Sequence, residues 1–169
     1  MIRSRASLLT CAVLAAAPAD PQVLATEGVV RATPAQLWQV LTTAEGYLKL
    51  GVGAADIDFR PGGLLRTAYD PKIPLDSEGA IHTEIVAFDP ERVLVTRIHR
   101  PPKGFPFMNA YKRVWTVFTL TPEGANATRL RVAMVGYGPD EESQKMKAFF
   151  ERGNAWTLKT LQDHFPAPR

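Results

Sequence analysis

The sequence predicts an α+β fold in which a long C-terminal helix lies on an antiparallel sheet of about seven strands, and two short helices follow the first strand. Two observations support this prediction. The C-terminal stretch is amphipathic without a break, and the chain before it is a series of short alternating segments separated by turn sequences. No helical stretch separates those segments as it would in a parallel sheet, so an antiparallel meander is predicted.

The longest regular segment runs from Asp140 to Phe165. Acidic residues follow Gly138-Pro139 at its start, where carboxylates suit the positive end of the helix dipole, and no proline interrupts it before Pro166. At about 100° per residue, one arc comprises Met146, Phe150, Gly153, Thr157, Leu161 and His164. A single helix of roughly 39 Å is therefore predicted, long enough to cross a small domain.

Two short helices are predicted after a first strand at Val23 to Arg31. In the next helix Thr33 is the N-cap, Pro34 takes the first helical position and Gln36 completes a capping box. A second short helix is predicted from Thr43 to near Leu50.

Six further strands are predicted from alternation and from the turns between them. They are Ala55–Phe59, Leu64–Asp70, Gly79–Phe88, Val93–Arg100, Val114–Leu120 and Thr128–Val135. The residues predicted to point inward are Ile57, Phe59, Leu65, Thr67, Tyr69, Ile81, Thr83, Ile85, Leu94, Thr96, Ile98, Thr116, Phe118, Leu120, Leu130, Val132 and Met134. Those predicted to point outward are Arg66, His82, Glu84, Arg97 and His99. Trp115 and Val117 then fall on the outer face, as a second packing surface or because the phase of that strand is wrong.

Residues 1–19 are predicted to be a signal peptide, and residues 20–169 a single domain. A basic start precedes an apolar stretch from Ala6 to Ala17, and Ala17-Pro18-Ala19 matches a cleavage site; a disordered basic tail is the alternative. Cleavage after Ala19 removes the only cysteine, Cys11, and two arginines, so the net charge falls from +3 to +1. We therefore expect a periplasmic or secreted protein without a membrane span in its mature form, and the charge does not indicate a nucleic-acid partner.

Several phrases occur in an order and spacing typical of a known superfamily. They are Arg31–Thr42 (RATPAQLWQVLT), Asp58–Gly63 (DFRPGG), Phe88–Arg92 (FDPER), Phe118–Pro122 with Thr128-Arg129-Leu130, and Gly153–Trp156 with Leu158 and Leu161. Over residues 23–165 the chain resembles the START-like or helix-grip superfamily (SRPBCC). It is most similar to the branch named for the activator of the heat-shock-protein ATPase, which is often grouped with polyketide cyclases.

The resemblance implies a sheet curled around the long helix, with a cavity between them that opens near the two short helices. Members bind lipids, sterols and polyketides, and some act on them. The branch has no universal catalytic motif, so no catalytic residues carry over. The chain departs from the pattern in its predicted signal peptide and in the proline-rich segment from Pro101 to Pro106, which could reshape the cavity mouth.

The ionisable residues do not predict a metal site or a catalytic centre. His82, His99 and His164 are far apart in the sequence, whereas a mononuclear metal site needs three or four convergent ligands. His82 and Glu84 share a strand face and could be a ligand pair or an acid–base couple, but the favoured interpretation is that both face solvent. His164 is interpreted as a helix-end histidine rather than a base. No metal and no cofactor are predicted.

The predicted binding site is a chamber between the helix and the sheet. Gly153 in mid-helix disfavours the helix by ~1 kcal/mol relative to alanine, and it serves either to open space there or to allow close packing on the sheet. The predicted lining residues are Tyr47, Phe59, Thr67, Tyr69, Thr83, Ile98, Phe107, Tyr111, Phe118, Met134, Phe150, Gly153, Asn154 and Thr157. Each aromatic residue among them also suits a packed core.

The leading hypothesis is an exported, non-catalytic protein that binds a small hydrophobic or aromatic molecule in this chamber. The first alternative is a cyclase, dehydratase or hydrolase that uses Tyr69, Tyr111 or Asn154 to polarise a carbonyl, with a carboxylate or histidine as base. The second is a protein-interaction module that uses the outer sheet face around Trp115. The oligomeric state is left open.

Overall fold

The structure, a computed structural model, describes residues 22–166 and confirms the predicted α+β helix-grip architecture. The elements are β1 (Val23–Val30), α1 (Pro34–Thr42), α2 (Ala44–Lys49), β2 (Ala54–Ile57), β3 (Leu64–Ala68), β4 (Ile81–Asp89), β5 (Val93–Arg100), a 3-10 helix (Ala110–Arg113), β6 (Trp115–Pro122), β7 (Thr128–Val135) and α3 (Glu141–His164). The predicted signal peptide and its cleavage site lie outside the described residues.

The sheet has seven antiparallel strands in the order β1-β7-β6-β5-β4-β3-β2. Strands β1 and β2 therefore lie at opposite edges, and α1 and α2 carry the chain from one edge to the other. The predicted capping box begins α1: Gln36 Oε1 accepts from the Thr33 N–H at 2.9 Å, and Thr33 Oγ1 accepts from the Gln36 N–H at 3.3 Å. Thr43 Oγ1 caps α2 in the same way by accepting from the Gly46 N–H at 3.1 Å.

The predicted phase of β6 is confirmed by its register. Phe118 pairs with Leu94 and Val132, which share its inner face, whereas Trp115 pairs with Arg97 on the outer face. Trp115 remains 40% exposed, and the Arg97 guanidinium lies 5.8 Å from its ring centroid. The outer face around Trp115 is thus a mixed surface of aromatic and cationic groups rather than a purely apolar patch.

One predicted orientation, that of Tyr69, and one predicted exposure, that of His82, are wrong. Tyr69 is 69% exposed, because β3 ends at Ala68 and strand alternation no longer determines the next side chain. His82 does lie on the outer face but is only 7% exposed, because the β3–β4 loop covers it; its Nε2 lies 2.8 Å from the carbonyl oxygen of Leu75. Glu84 does not pair with His82, since it accepts instead from Arg97 Nε at 2.8 Å.

The buried apolar residues form two separate clusters on the inner side of the sheet. The first cluster includes Val30, Leu37, Leu41, Ile85, Leu94, Leu120, Leu130 and Leu161. The second cluster consists of Leu24, Ala110, Val114, Met134, Tyr137 and Met146. Helix α3 contributes Leu161 to the first and Met146 to the second, so the middle of α3 lies between the two clusters.

The N-terminal end of α3 is tied to the 3-10 helix by hydrogen bonds. Asp140 Oδ1 caps α3 by accepting from the Ser143 N–H at 3.0 Å, and Arg113 Nη2 donates to Asp140 Oδ2 at 2.6 Å. Glu142 Oε1 accepts from the backbone N–H groups of Asn109 at 2.8 Å and Ala110 at 3.2 Å. These bonds hold the end of the proline-rich segment against the helix.

We expect Glu142→Gln to weaken this tie in a pH-dependent way. The N–H groups of Asn109 and Ala110 lower the pKa of Glu142 below its usual 4.5. A lowered pKa gives stability that is present above 4.5 and is lost as the pH falls through the folded-state value. The variant should therefore have a lower Tm than wild type at neutral pH, and the difference should shrink on acidification. Thermal melts across the acid range test this, with Glu151→Gln on the exposed side of α3 as control; a pH-independent difference would contradict it.

Candidate functional site

Helix α3 lies along the β1 edge of the sheet. It packs mainly against β1 and the 3-10 helix. Its approach to β1 is close: Gln162 Nε2 donates to the carbonyl oxygen of Val29 at 3.1 Å, and a Cβ at Gly28 would lie 2.8 Å from Leu158. We call the region between the middle of α3 and the partly exposed inner-face residues Thr83, Ile98 and Thr116 the cleft.

Gly153 is exposed to solvent in the middle of α3. A Cβ added at Gly153 would meet no atom outside the local helix within 4 Å, although this residue follows the buried Met146 on the same arc. The interpretation that Gly153 allows close packing on the sheet is therefore wrong.

Asn154 places an unpaired amide in the same region. Its Nδ2 is buried and has no hydrogen-bond partner within residues 22–166. Asn154 lies one turn from Phe150, which packs against the second cluster, and one turn from Leu158, which packs against the first. The amide thus lies between the two clusters, where an unpaired buried polar group destabilises the fold by about 1–3 kcal/mol.

A set of hydroxyl groups lies on the inner face of the sheet. This threonine band comprises Thr67, Thr83, Thr96 and Thr116, none of which belongs to either hydrophobic cluster. Their side chains form no hydrogen bond in the described part of the chain. Thr83, Ile98 and Thr116 also retain partial exposure in central strands, which shows that solvent reaches the inner face.

The other predicted lining residues divide between the clusters. Tyr47, Phe59 and Phe118 pack against the first cluster. Phe107, Tyr111 and Phe150 pack against the second, to which Met134 belongs. Thr157 lies next to Gly153 on α3 and donates to the Gly153 carbonyl oxygen at 3.0 Å. Tyr69 is the exception, since its exposed side chain is not part of either cluster.

Burial affects the pKa of Tyr47, which lies in α2. Desolvation raises the pKa of the Tyr47 hydroxyl above its usual value of 10.0. The hydroxyl therefore stays protonated at neutral pH. It can donate a hydrogen bond without introducing a charge.

Two exposed aromatic residues that were not among the predicted lining residues flank Gly153 on α3. Trp156 is 53% exposed, and its ring lies against Gly51, where an added Cβ would be 2.7 Å from Cη2. The ring of Phe149 lies 5.8 Å from that of Phe107 in the proline-rich loop. These contacts frame an opening between that loop and the turn after α2. In the sequence, Phe149 and Trp156 lie beside the apolar arc of α3. They make the apolar face wider than a helix packed on one side only requires.

Two other depressions lie at the C-terminal end of α3. One has a volume of about 240 Å³ and is lined by Val29, Arg31, Gln162 and Phe165. The other has a volume of about 310 Å³ and is lined by Gln36, Gln39, Val40, Thr43, Glu45, Gly46, Lys49, His164 and Phe165. None of the predicted lining residues is among them.

The described residues contain neither a cluster of potential metal ligands nor a membrane-spanning helix. Within 22–166, no group of three or more His, Cys, Asp or Glu side chains is placed to hold a metal ion. None of the helices in this range is long and apolar enough to cross a bilayer.

The sequence of residues 31–165 matches the family described as Activator of Hsp90 ATPase homolog 1-like protein. The chain belongs to this family. Membership agrees with the fold of the helix-grip superfamily. No curated protein matches the sequence.

Several solved structures have the same fold as this chain. A protein from Mesorhizobium loti is 20% identical with a TM-score of 0.66, covering 83% of this chain and 94% of its own. The Aha1 dimer from Colwellia psychrerythraea is 15% identical with a TM-score of 0.64, and the match covers 85% of this chain and 95% of the Aha1 chain. Truncated norcoclaurine synthase from Thalictrum flavum is 13% identical with a TM-score of 0.57, and the match covers 87% of this chain and 94% of the synthase. At these identities the likeness shows the fold alone.

Proposed function

We propose that this protein is exported and binds a small hydrophobic or aromatic molecule in the cleft between α3 and the sheet, without catalysis. One observation carries the proposal: the amide Nδ2 of Asn154 is buried between the two clusters without a hydrogen-bond partner in residues 22–166. A packed core pairs its buried polar groups. A bound ligand would pair this amide.

The side chains around the cleft favour binding over chemistry. The threonine band, Asn154 and Thr157 are neutral, and the remaining lining residues are apolar or phenolic. General acid–base catalysis uses an ionisable group whose pKa is matched to the reaction. The carboxylates and histidines considered as bases lie elsewhere, with Glu84 on the outer face and His164 at the end of α3.

An enzyme of the cyclase, dehydratase or hydrolase type is the second candidate, favoured by the presence of a synthase among the structural neighbours. Such an enzyme would use Tyr111 or Asn154 to polarise a carbonyl in the same cleft. It would then need a base from the ligand itself or from water. Turnover of a bound molecule, seen as a change in its mass, would favour this candidate.

Native mass spectrometry tests the binding proposal. We expect protein purified from the periplasmic or secreted fraction of its host to carry a discrete extra mass that is lost on denaturation. Asn154→Trp should lose this mass because the indole fills the region between the two clusters where the buried amide lies, whereas Gly153→Ala, at an exposed position of the same helix, should retain it. A bare wild-type mass, with no thermal shift across a panel of lipids and aromatic compounds, would contradict the proposal.

The same sample tests export. Cleavage of the predicted signal peptide should give a mature chain that begins at Asp20. The denatured mass of the periplasmic or secreted protein reports this directly. A chain that retains residues 1–19 and remains with the cell contents would overturn this part of the proposal.

A further inference from the structure

We infer that the cleft selects a neutral molecule carrying a carbonyl or hydroxyl oxygen, and that Asn154 is the residue that makes this selection. This inference rests on the proposed ligand-binding function and specifies the class of ligand.

The Asn154 amide is placed to meet a ligand rather than a protein group. Its neighbours one turn away on α3 pack against different clusters, so the amide faces the gap between them. Nδ2 is buried without a partner in the described range, and Oδ1 accepts no hydrogen bond there. Rotation about χ2 exchanges the two atoms, so the amide can donate to a carbonyl or accept from a hydroxyl.

The hydroxyl groups of the cleft have the same preference. Each threonine of the threonine band can donate and accept one hydrogen bond, and none does so through its side chain within residues 22–166. Together these groups favour oxygen atoms on the ligand.

Charge and polarity exclude the other ligand classes. A carboxylate or ammonium group would lose its hydration without gaining a counter-charge, because the lining residues are neutral. A pure hydrocarbon would leave the Asn154 amide unpaired and still buried. A neutral, oxygen-bearing molecule avoids both penalties.

The test compares three probes that share a ring system and differ in one group: 2-ethylnaphthalene, 2-acetylnaphthalene and 2-naphthoate. We expect wild type to bind the acetyl compound about tenfold more tightly than the ethyl compound, as one hydrogen bond predicts. The naphthoate should bind most weakly. Titration calorimetry measures all three affinities.

Asn154→Leu replaces the amide with an apolar group of similar size. It should reduce the acetyl-over-ethyl preference to less than about twofold, because the threonine hydroxyls are not among the buried unpaired atoms and can bond to water when the ligand offers no oxygen. It should also raise the Tm of the ligand-free protein, because an unpaired buried amide has been removed. Asn126→Leu, an equivalent change in the exposed β6–β7 turn, should keep the wild-type preference.

The outcomes separate this inference from the proposed function. If wild type binds none of the probes, the ligand-binding function fails and the inference fails with it. If wild type binds the ethyl and acetyl compounds equally, or if Asn154→Leu retains the preference, selection by Asn154 is overturned while ligand binding stands.

Discussion

Replacing Leu161 by alanine is expected to lower the free energy of unfolding by about 2–5 kcal/mol. Leu161 is 0% exposed and belongs to the first cluster, together with Leu37, Leu41 and Leu130. Truncation removes apolar contacts and leaves a cavity that the surrounding helices and strands only partly fill. Because α3 is anchored in each cluster by few residues, the loss should also loosen its C-terminal half.

Urea unfolding followed by far-UV circular dichroism measures this effect, provided that the slope of the transition is unchanged. Leu48→Ala is the matched control, because Leu48 lies in α2 and is about half exposed. We expect this control to change the free energy of unfolding by no more than about 0.5 kcal/mol. Equal effects of the two substitutions would show that Leu161 is not an anchor of α3.

The helices and the sheet could be predicted because their signals are local. Thr33, Pro34 and Gln36 form a cap whose hydrogen bonds involve only neighbouring residues, and the structure shows those bonds. Alternation along β6 places Thr116 and Phe118 on one face and Trp115 on the other whatever the partner strands are. The antiparallel meander followed from the turns between the strands, whereas the pairing of β1 with β7 joins segments far apart in the sequence and was not predicted.

The errors arose where a distant segment determines the environment. His82 lies on the predicted face, but the β3–β4 loop buries it, and no pattern within β4 reports that cover. Tyr69 follows the last residue of β3, and alternation does not extend past the end of a strand. Strand boundaries are the least secure part of a sequence-based prediction.

The candidate site was only partly visible in the sequence. Gly153 and Asn154 could be singled out because glycine and a polar amide are unusual on the sheet-facing arc of a long helix. The sequence left open whether Gly153 allows close packing or leaves space, because that depends on how far α3 stands from the strands. The structure shows that Gly153 is exposed and that no atom lies near its Cβ position, so it does not serve close packing. The threonine band became apparent only when register placed β3 to β6 side by side.

Gly46→Ala is expected to lower the free energy of unfolding by about 3 kcal/mol, near the upper end of the usual range for overpacking. A Cβ at Gly46 would lie 2.1 Å from the carbonyl oxygen of Val40 and 2.5 Å from its Cα. These are backbone atoms of α1, which is held in place by the buried Leu37 and Leu41. The clash can be relieved only by moving α2 away from α1, although alanine is the better helix former by ~1 kcal/mol.

Glycine-to-alanine substitution at Gly153 should change the free energy of unfolding in the opposite direction, so it serves as the control for Gly46→Ala. Gly153→Ala meets no atom within 4 Å, so only the gain in helix propensity remains, and the free energy of unfolding should rise by about 1 kcal/mol. The two variants thus separate helix propensity from packing in one pair of unfolding experiments. If both raised stability, the α1–α2 contact at Gly46 would not be close. If both lowered it, an added Cβ at Gly153 would not lie in open space.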